Sequence, residues 1–74
     1  MAPHWWVPVK ASDPKARKAE VDQVLPKYAA KLNSFWQTPD GGQLFALIES
    51  DNVSHKLLVD MGANGKAIPL EDVN

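Results

Sequence analysis

Residues 33–51 read NSFWQTPDGGQLFALIESD, and this stretch decides the fold. At its centre Pro39-Asp40-Gly41-Gly42 is a turn, with Gly available where a hairpin loop demands a positive φ. The arms on either side, Asn33 to Thr38 and Gln43 to Ser50, carry the aromatic and aliphatic residues that suit strands. A β-hairpin is therefore expected. In its second arm Leu44, Ala46 and Ile48 share one face while Phe45 and Leu47 share the other, because side chains alternate along a strand. Both faces are apolar, unlike a strand with one side in water.

Upstream of the hairpin lies a helix. Ser12-Asp13-Pro14 reads as its start, with Asp13 placed to cap free amides and Pro14 at the first helical position. Val21, Val24, Leu25, Tyr28 and Leu32 then form one stripe of a 3.6-residue period. Pro26 interrupts it. Since the stripe keeps its phase and Pro26 lies on the polar side, a kinked helix is one reading and a break at Leu25 the other. Along this helix Arg17 is in reach of Asp13 and Glu20, and Lys18 of Asp22. Farther upstream, His4 to Lys10 suits a strand, with Trp5, Val7 and Val9 on one face and His4, Trp6 and Pro8 on the other. Pro8 lacks a donor and points to an edge strand, a strand end or a bulge.

Downstream, Ser50-Asp51 suits the cap of a second helix carrying Val53, Leu57, Leu58 and Met61, closed by Gly62. Lys66 to Val73 reads as a last strand, with Pro69 favouring an edge, and Glu71 to Asn74 is expected to fray. The order is strand, helix, strand, strand, helix, strand. That is the split βαβ pattern of ferredoxin-like folds, so the sequence predicts an α+β, four-stranded antiparallel sheet with two helices on one face, in a single domain spanning residues 1–74.

Composition bounds the rest. A chain of 74 residues buries only about 60–65% of its unfolded surface, so its core is thin and self-association or a metal would help. Disulfides do not enter, because there is no Cys, which fits a reducing compartment. With 8 basic and 9 acidic residues the net charge is −1, giving little pull toward phosphate backbones or anionic lipid. No apolar run approaches the ~20 residues of a bilayer span, and no signal peptide is read at the start. A cytoplasmic location is the expectation.

Two helices on one face leave the other face bare. Trp5, Val7, Val9, Leu44, Ala46, Ile48, Ile68 and Leu70 suit the helix side. The bare side would then carry Trp6, Phe45 and Leu47, with Phe35 or Trp36 according to register. Such a patch reaches the few hundred Å² that mark an interface or a ligand site. The order of elements, with the quoted hairpin running into a capped helix and a closing GKAIPLEDV strand, resembles the dimeric α/β barrel superfamily. That resemblance implies two subunits packed sheet against sheet, with a small pocket between sheet and helices in each. Its members include cofactor-independent monooxygenases, lactone isomerases and heme-degrading enzymes. This chain departs from the enzymatic members in lacking an evident pocket cluster of His, Asp and Tyr.

His4 and His55 are the two histidines. His4, on the open face with Trp6, is the best candidate for acid/base chemistry. A metal site would need further donors, with Glu49, Asp51 and Met61 the candidates, and no ligand-spacing motif supports it. Trp6, Trp36, Phe45 and Leu47 are the candidate ligand-binding residues, as a stacking platform or as interface. The open-face aromatics also suggest RNA stacking, but the basic residue expected of such a strand is missing from residues 42–48, and no nucleic-acid partner is expected. The expectation is a homodimer through the open sheet face, binding a small apolar or aromatic ligand or a protein, without cofactor, metal or membrane. The alternatives are a cofactor-independent monooxygenase or isomerase, and a His-dependent metal-binding module; whether the chain is an enzyme is left open.

Overall fold

The computed structural model describes residues 3–73. Six named elements follow the expected order: β1 (His4–Val9), α1 (Pro14–Val24), β2 (Lys31–Gln37), β3 (Leu44–Glu49), α2 (His55–Asp60) and β4 (Ile68–Leu70). The protein is α+β, with a four-stranded sheet in the order β2-β3-β1-β4 and every neighbouring pair antiparallel.

Register fixes the two faces. Val7 pairs with Ala46, Val9 with Leu44 and Trp5 with Ile48; Phe35 pairs with Ala46 and Leu32 with Ile48. Val7, Val9, Leu44, Ala46 and Ile48 are fully buried, in one cluster with Val21 and Leu25 from the α1 side and Leu57 and Met61 from α2. Both helices therefore cover this face. Trp5 packs against the cluster and its indole N–H donates to the Ser50 carbonyl at 2.9 Å, so its one polar atom is satisfied.

The remaining residues of the sheet point the other way. Ile68 pairs with Trp6 and Leu70 with His4, which puts both on the open face rather than beneath the helices as the sequence suggested. Their strand is three residues long, and a slip of one residue exchanges the faces. Pro69 lies in an edge strand, as expected. Pro8 does not, since β1 is an inner strand, but it sits one residue from the end of that strand, another of the positions expected for it. The Pro8 carbonyl accepts from Asn64 N–H at 3.0 Å, on the side away from β3. Its missing donor faces the same way, beyond the three positions where β4 pairs.

Of the two readings of Pro26, the break at Leu25 is the one found, and the stripe does not run on in one helix to Leu32. Pro26 cannot donate to the Asp22 carbonyl, and after Val24 the backbone tightens into a 3₁₀ turn, Leu25–Tyr28. Ala30 N–H bonds the Leu25 carbonyl and Ala29 N–H the Pro26 carbonyl, a Schellman arrangement with Ala29 left-handed at φ 56°. Leu32 consequently belongs to β2. Asp13 is the N-cap residue of α1 but its side chain makes no capping bond. In α2 the cap is Ser54, whose Oγ accepts from Leu57 N–H at 3.1 Å, not Ser50 or Asp51. Ser50 is instead buried, donating to the Asn52 carbonyl. The hairpin loop forms as read: Gly41 has φ 74° and donates to the Thr38 carbonyl, while Asp40 accepts from Thr38 Oγ1 and Gly42 N–H. Those two donors hold the Asp40 carboxyl below its usual range. Glu71 to Val73 is exposed and outside the strands; Asn74 lies outside the described residues.

Gly62 closes α2 with φ 76°, in a second Schellman arrangement (Ala63 N–H to Leu58 carbonyl, Gly62 N–H to Val59 carbonyl). A Cβ there would stand 2.6 Å from Arg17 Nη1. Gly62→Ala is therefore expected to cost about 1–3 kcal/mol in urea denaturation, from the left-handed backbone together with displacement of the guanidinium. In an Arg17→Ala background only the backbone part remains, so the same substitution should cost less; an equal cost in both backgrounds would show that the guanidinium contributes nothing.

Candidate functional site: the open sheet face

Each side chain of the open face is set there by the pairing of β1 with its two neighbours. Trp6 lies opposite Leu47 on β3 and Ile68 on β4. Its ring stacks on Phe45, with centroids 5.0 Å apart and planes 25° apart, an offset geometry of a favourable aromatic pair. Trp36 on β2 is paired with Phe45, which settles the open choice between Phe35 and Trp36 in favour of Trp36. The four candidate ligand-binding residues, Trp6, Trp36, Phe45 and Leu47, thus share one surface. Trp36 is 55% exposed, and the two residues the sequence reading assigned elsewhere, Ile68 and Leu70, are 52% and 39% exposed. These are large apolar groups in contact with water on a chain with a thin core.

One end of the face is polar. His4 Nε2 lies 3.3 Å from Glu49 Oε1, which also accepts from Asn33 Nδ2 at 3.3 Å; Lys31 is paired with Glu49 across the β2–β3 ladder. An imidazole beside a carboxylate has the parts of an acid/base pair. Here, however, the two side chains are 45% and 34% exposed, and neither of the two clefts described below is lined by them. Sequence reasoning named His4 and, as a further metal donor, Glu49, but their contact is revealed only by cross-strand register. The other proposed metal donors do not converge on it: Met61 is in the core beneath the helices, and Asp51 and His55 are exposed in and beyond the β3–α2 loop. Among the described residues no group of three or more His, Asp or Glu is arranged to hold a metal, and no helix is long and apolar enough to cross a membrane.

The larger cleft, about 350 Å³, lies on the helix side at the end of the sheet, lined by Tyr28, Ala29, Ser50, Asp51, Asn52, Ser54 and Leu57. The Tyr28 hydroxyl donates to the Asp60 carboxylate. That bond, together with some desolvation and the carboxylate's charge, raises the Tyr28 pKa above the ordinary phenol value, because the phenolate would lose the bond and face an anion. The resulting stabilisation is fully present below the ordinary phenol range and is lost as pH rises through the raised value. Tyr28 is the single tyrosine, so tyrosinate absorbance reports it alone. Asp60→Asn is expected to ionise at lower pH than the parent chain; coincident titrations would show that the contact has no energetic weight in solution. No protein-family model, curated protein or solved structure matches this chain.

Proposed function

We propose that the chain is a homodimeric binding domain of ferredoxin-like architecture, joined sheet to sheet as in the dimeric α/β barrel superfamily. The observation that carries this reading is the single contiguous apolar face made by Trp6, Trp36, Phe45, Leu47, Ile68 and Leu70. The strand order β2-β3-β1-β4 supports the architecture. Strands about 4.8 Å apart, three of them six or seven residues long and β4 three, outline a face of roughly 350 Å² in projection. Its accessible area is larger because tryptophan and leucine side chains stand proud of the sheet, which brings it toward the ~800 Å² per partner of specific interfaces.

A second copy suits the face for a further reason. A two-fold pairing asks the surface only to complement itself, and the face offers apolar groups at its centre and both signs of charge, Lys31 and Glu49, at its polar end. An interface of this modest size with aromatic anchors suits micromolar association. A small apolar or aromatic ligand would bind beside the same aromatics. The test is the subunit mass by sedimentation equilibrium across a concentration series. Twice the 8.2 kDa of the chain is expected at the upper end; a mass of one chain at the highest concentration would overturn the proposal.

A further inference from the structure

The second cleft, about 180 Å³, lies between the start of α1 and the end of β2, and is lined by Pro14, Lys15, Lys18, Phe35, Trp36 and Gln37. Its walls are mostly hydrocarbon and ring, and its only charged lining groups are two ammoniums. Lys15 has no carboxylate within ion-pair distance among the described residues, and Lys18 reaches Asp22 only at 3.7 Å. Among the described residues no acid lines the cleft. The ring of Trp36 is oriented by its indole N–H, which donates to Ser34 Oγ at 2.8 Å. Trp6 and Phe45 stack on each other, leaving Trp36 without a stacked aromatic neighbour among the described residues.

We infer that this cleft is a binding site for a small planar aromatic anion, such as an aryl phosphate or aryl carboxylate. The Trp36 ring supplies the stacking surface for the aromatic body, with Phe35, on the opposite face of β2, as an apolar wall on the helix side; stacking on an indole tolerates many ring systems. Lys15 and Lys18 supply the charge complement. The lysines lie on α1, away from the open sheet face, while Trp36 belongs to that face as well, so ligand stacking and the pairing of two copies would share one ring. Both ammoniums are exposed and their attraction is screened, which makes the expected affinity weak, about 0.1–1 mM.

The probe is 1-naphthyl phosphate, titrated into the labelled full chain with the three tryptophan indole N–H resonances as reporters. The Trp36 resonance is expected to shift, with 1-naphthol binding at least about fivefold more weakly because it lacks the charge. The double substitution K15Q/K18Q is expected to weaken 1-naphthyl phosphate about five- to tenfold while leaving the subunit mass unchanged. Equal binding of 1-naphthol, unchanged affinity in the double variant, or shifts confined to Trp6 would each overturn the assignment. Leu47→Glu separates the two proposals: it removes the dimer contact without altering a residue that lines the cleft, and with Trp36 no longer shared with a second copy 1-naphthyl phosphate should bind this variant at least as tightly as the parent chain; loss of binding there would overturn the cleft assignment and not the dimer.

Discussion

Leu47→Glu will weaken self-association at least about 100-fold, as read by sedimentation equilibrium, because an interface that covers the open face would trap the new carboxylate without a partner. Leu47 is centrally placed, opposite Trp6 on β1 and Ser34 on β2. Its side chain points away from the helices, so the core of Val7, Ala46 and Ile48 is unaltered and the far-ultraviolet circular dichroism should not change. Stability has to be compared at a concentration where the parent chain is also monomeric, since association adds to apparent stability by mass action. A variant that associates as tightly as the parent would reject sheet-to-sheet pairing while leaving the fold intact.

The second large effect is expected at Leu25. Leu25→Ala removes a fully buried side chain at the junction of α1 and the 3₁₀ turn, at a cost of about 2–5 kcal/mol for lost burial and the cavity left behind. A chain of 74 residues has only about 4–11 kcal/mol of total stability at the usual value per residue. The variant should therefore lose at least about a fifth of its stability toward urea, and about half at the middle of these ranges. Val59→Ala, at a site 61% exposed on α2, is the matched control and should lie within about 0.5 kcal/mol of the parent. Similar midpoints for the two variants would show that Leu25 is not a core residue in solution.

Both predictions draw on features that differ in how plainly the chain announces them. The alternation of Trp5, Val7 and Val9 against Trp6 and Pro8 was legible because β1 is long enough to show its period, and the Pro39-Asp40-Gly41-Gly42 loop because its backbone needs are met by few other residues. Hydrophobic spacing alone misread residues 25–32. Leu32 keeps helical phase with Leu25 and Tyr28, yet Pro26 removes a donor and the chain turns at Ala29 before it reaches Leu32. The α2 cap was misplaced for a similar reason: Ser50 and Ser54 are both competent caps, and tertiary packing buries the first and leaves the second to do it. At the candidate site, Trp6, Phe45 and Leu47 were legible as a face. Ile68, Leu70 and the His4–Glu49 contact were not, because they depend on which residue of one strand lies opposite which residue of another, and a three-residue strand carries too little pattern to reveal that.

The margins of the sheet have a consequence for how far assembly can go. An edge with free N–H and C=O groups invites further strands, and a row of such edges is how fibrils extend. Here one margin is β4, three residues long with Pro69 at its middle, and the other is β2, whose pairing is broken by an irregularity between Leu32 and Ser34. Each is a poor template for another backbone. On the proposed sheet-to-sheet pairing, adhesion would thereby be confined to the broad side of the molecule, where one added copy would use up the available surface and growth would stop at a pair.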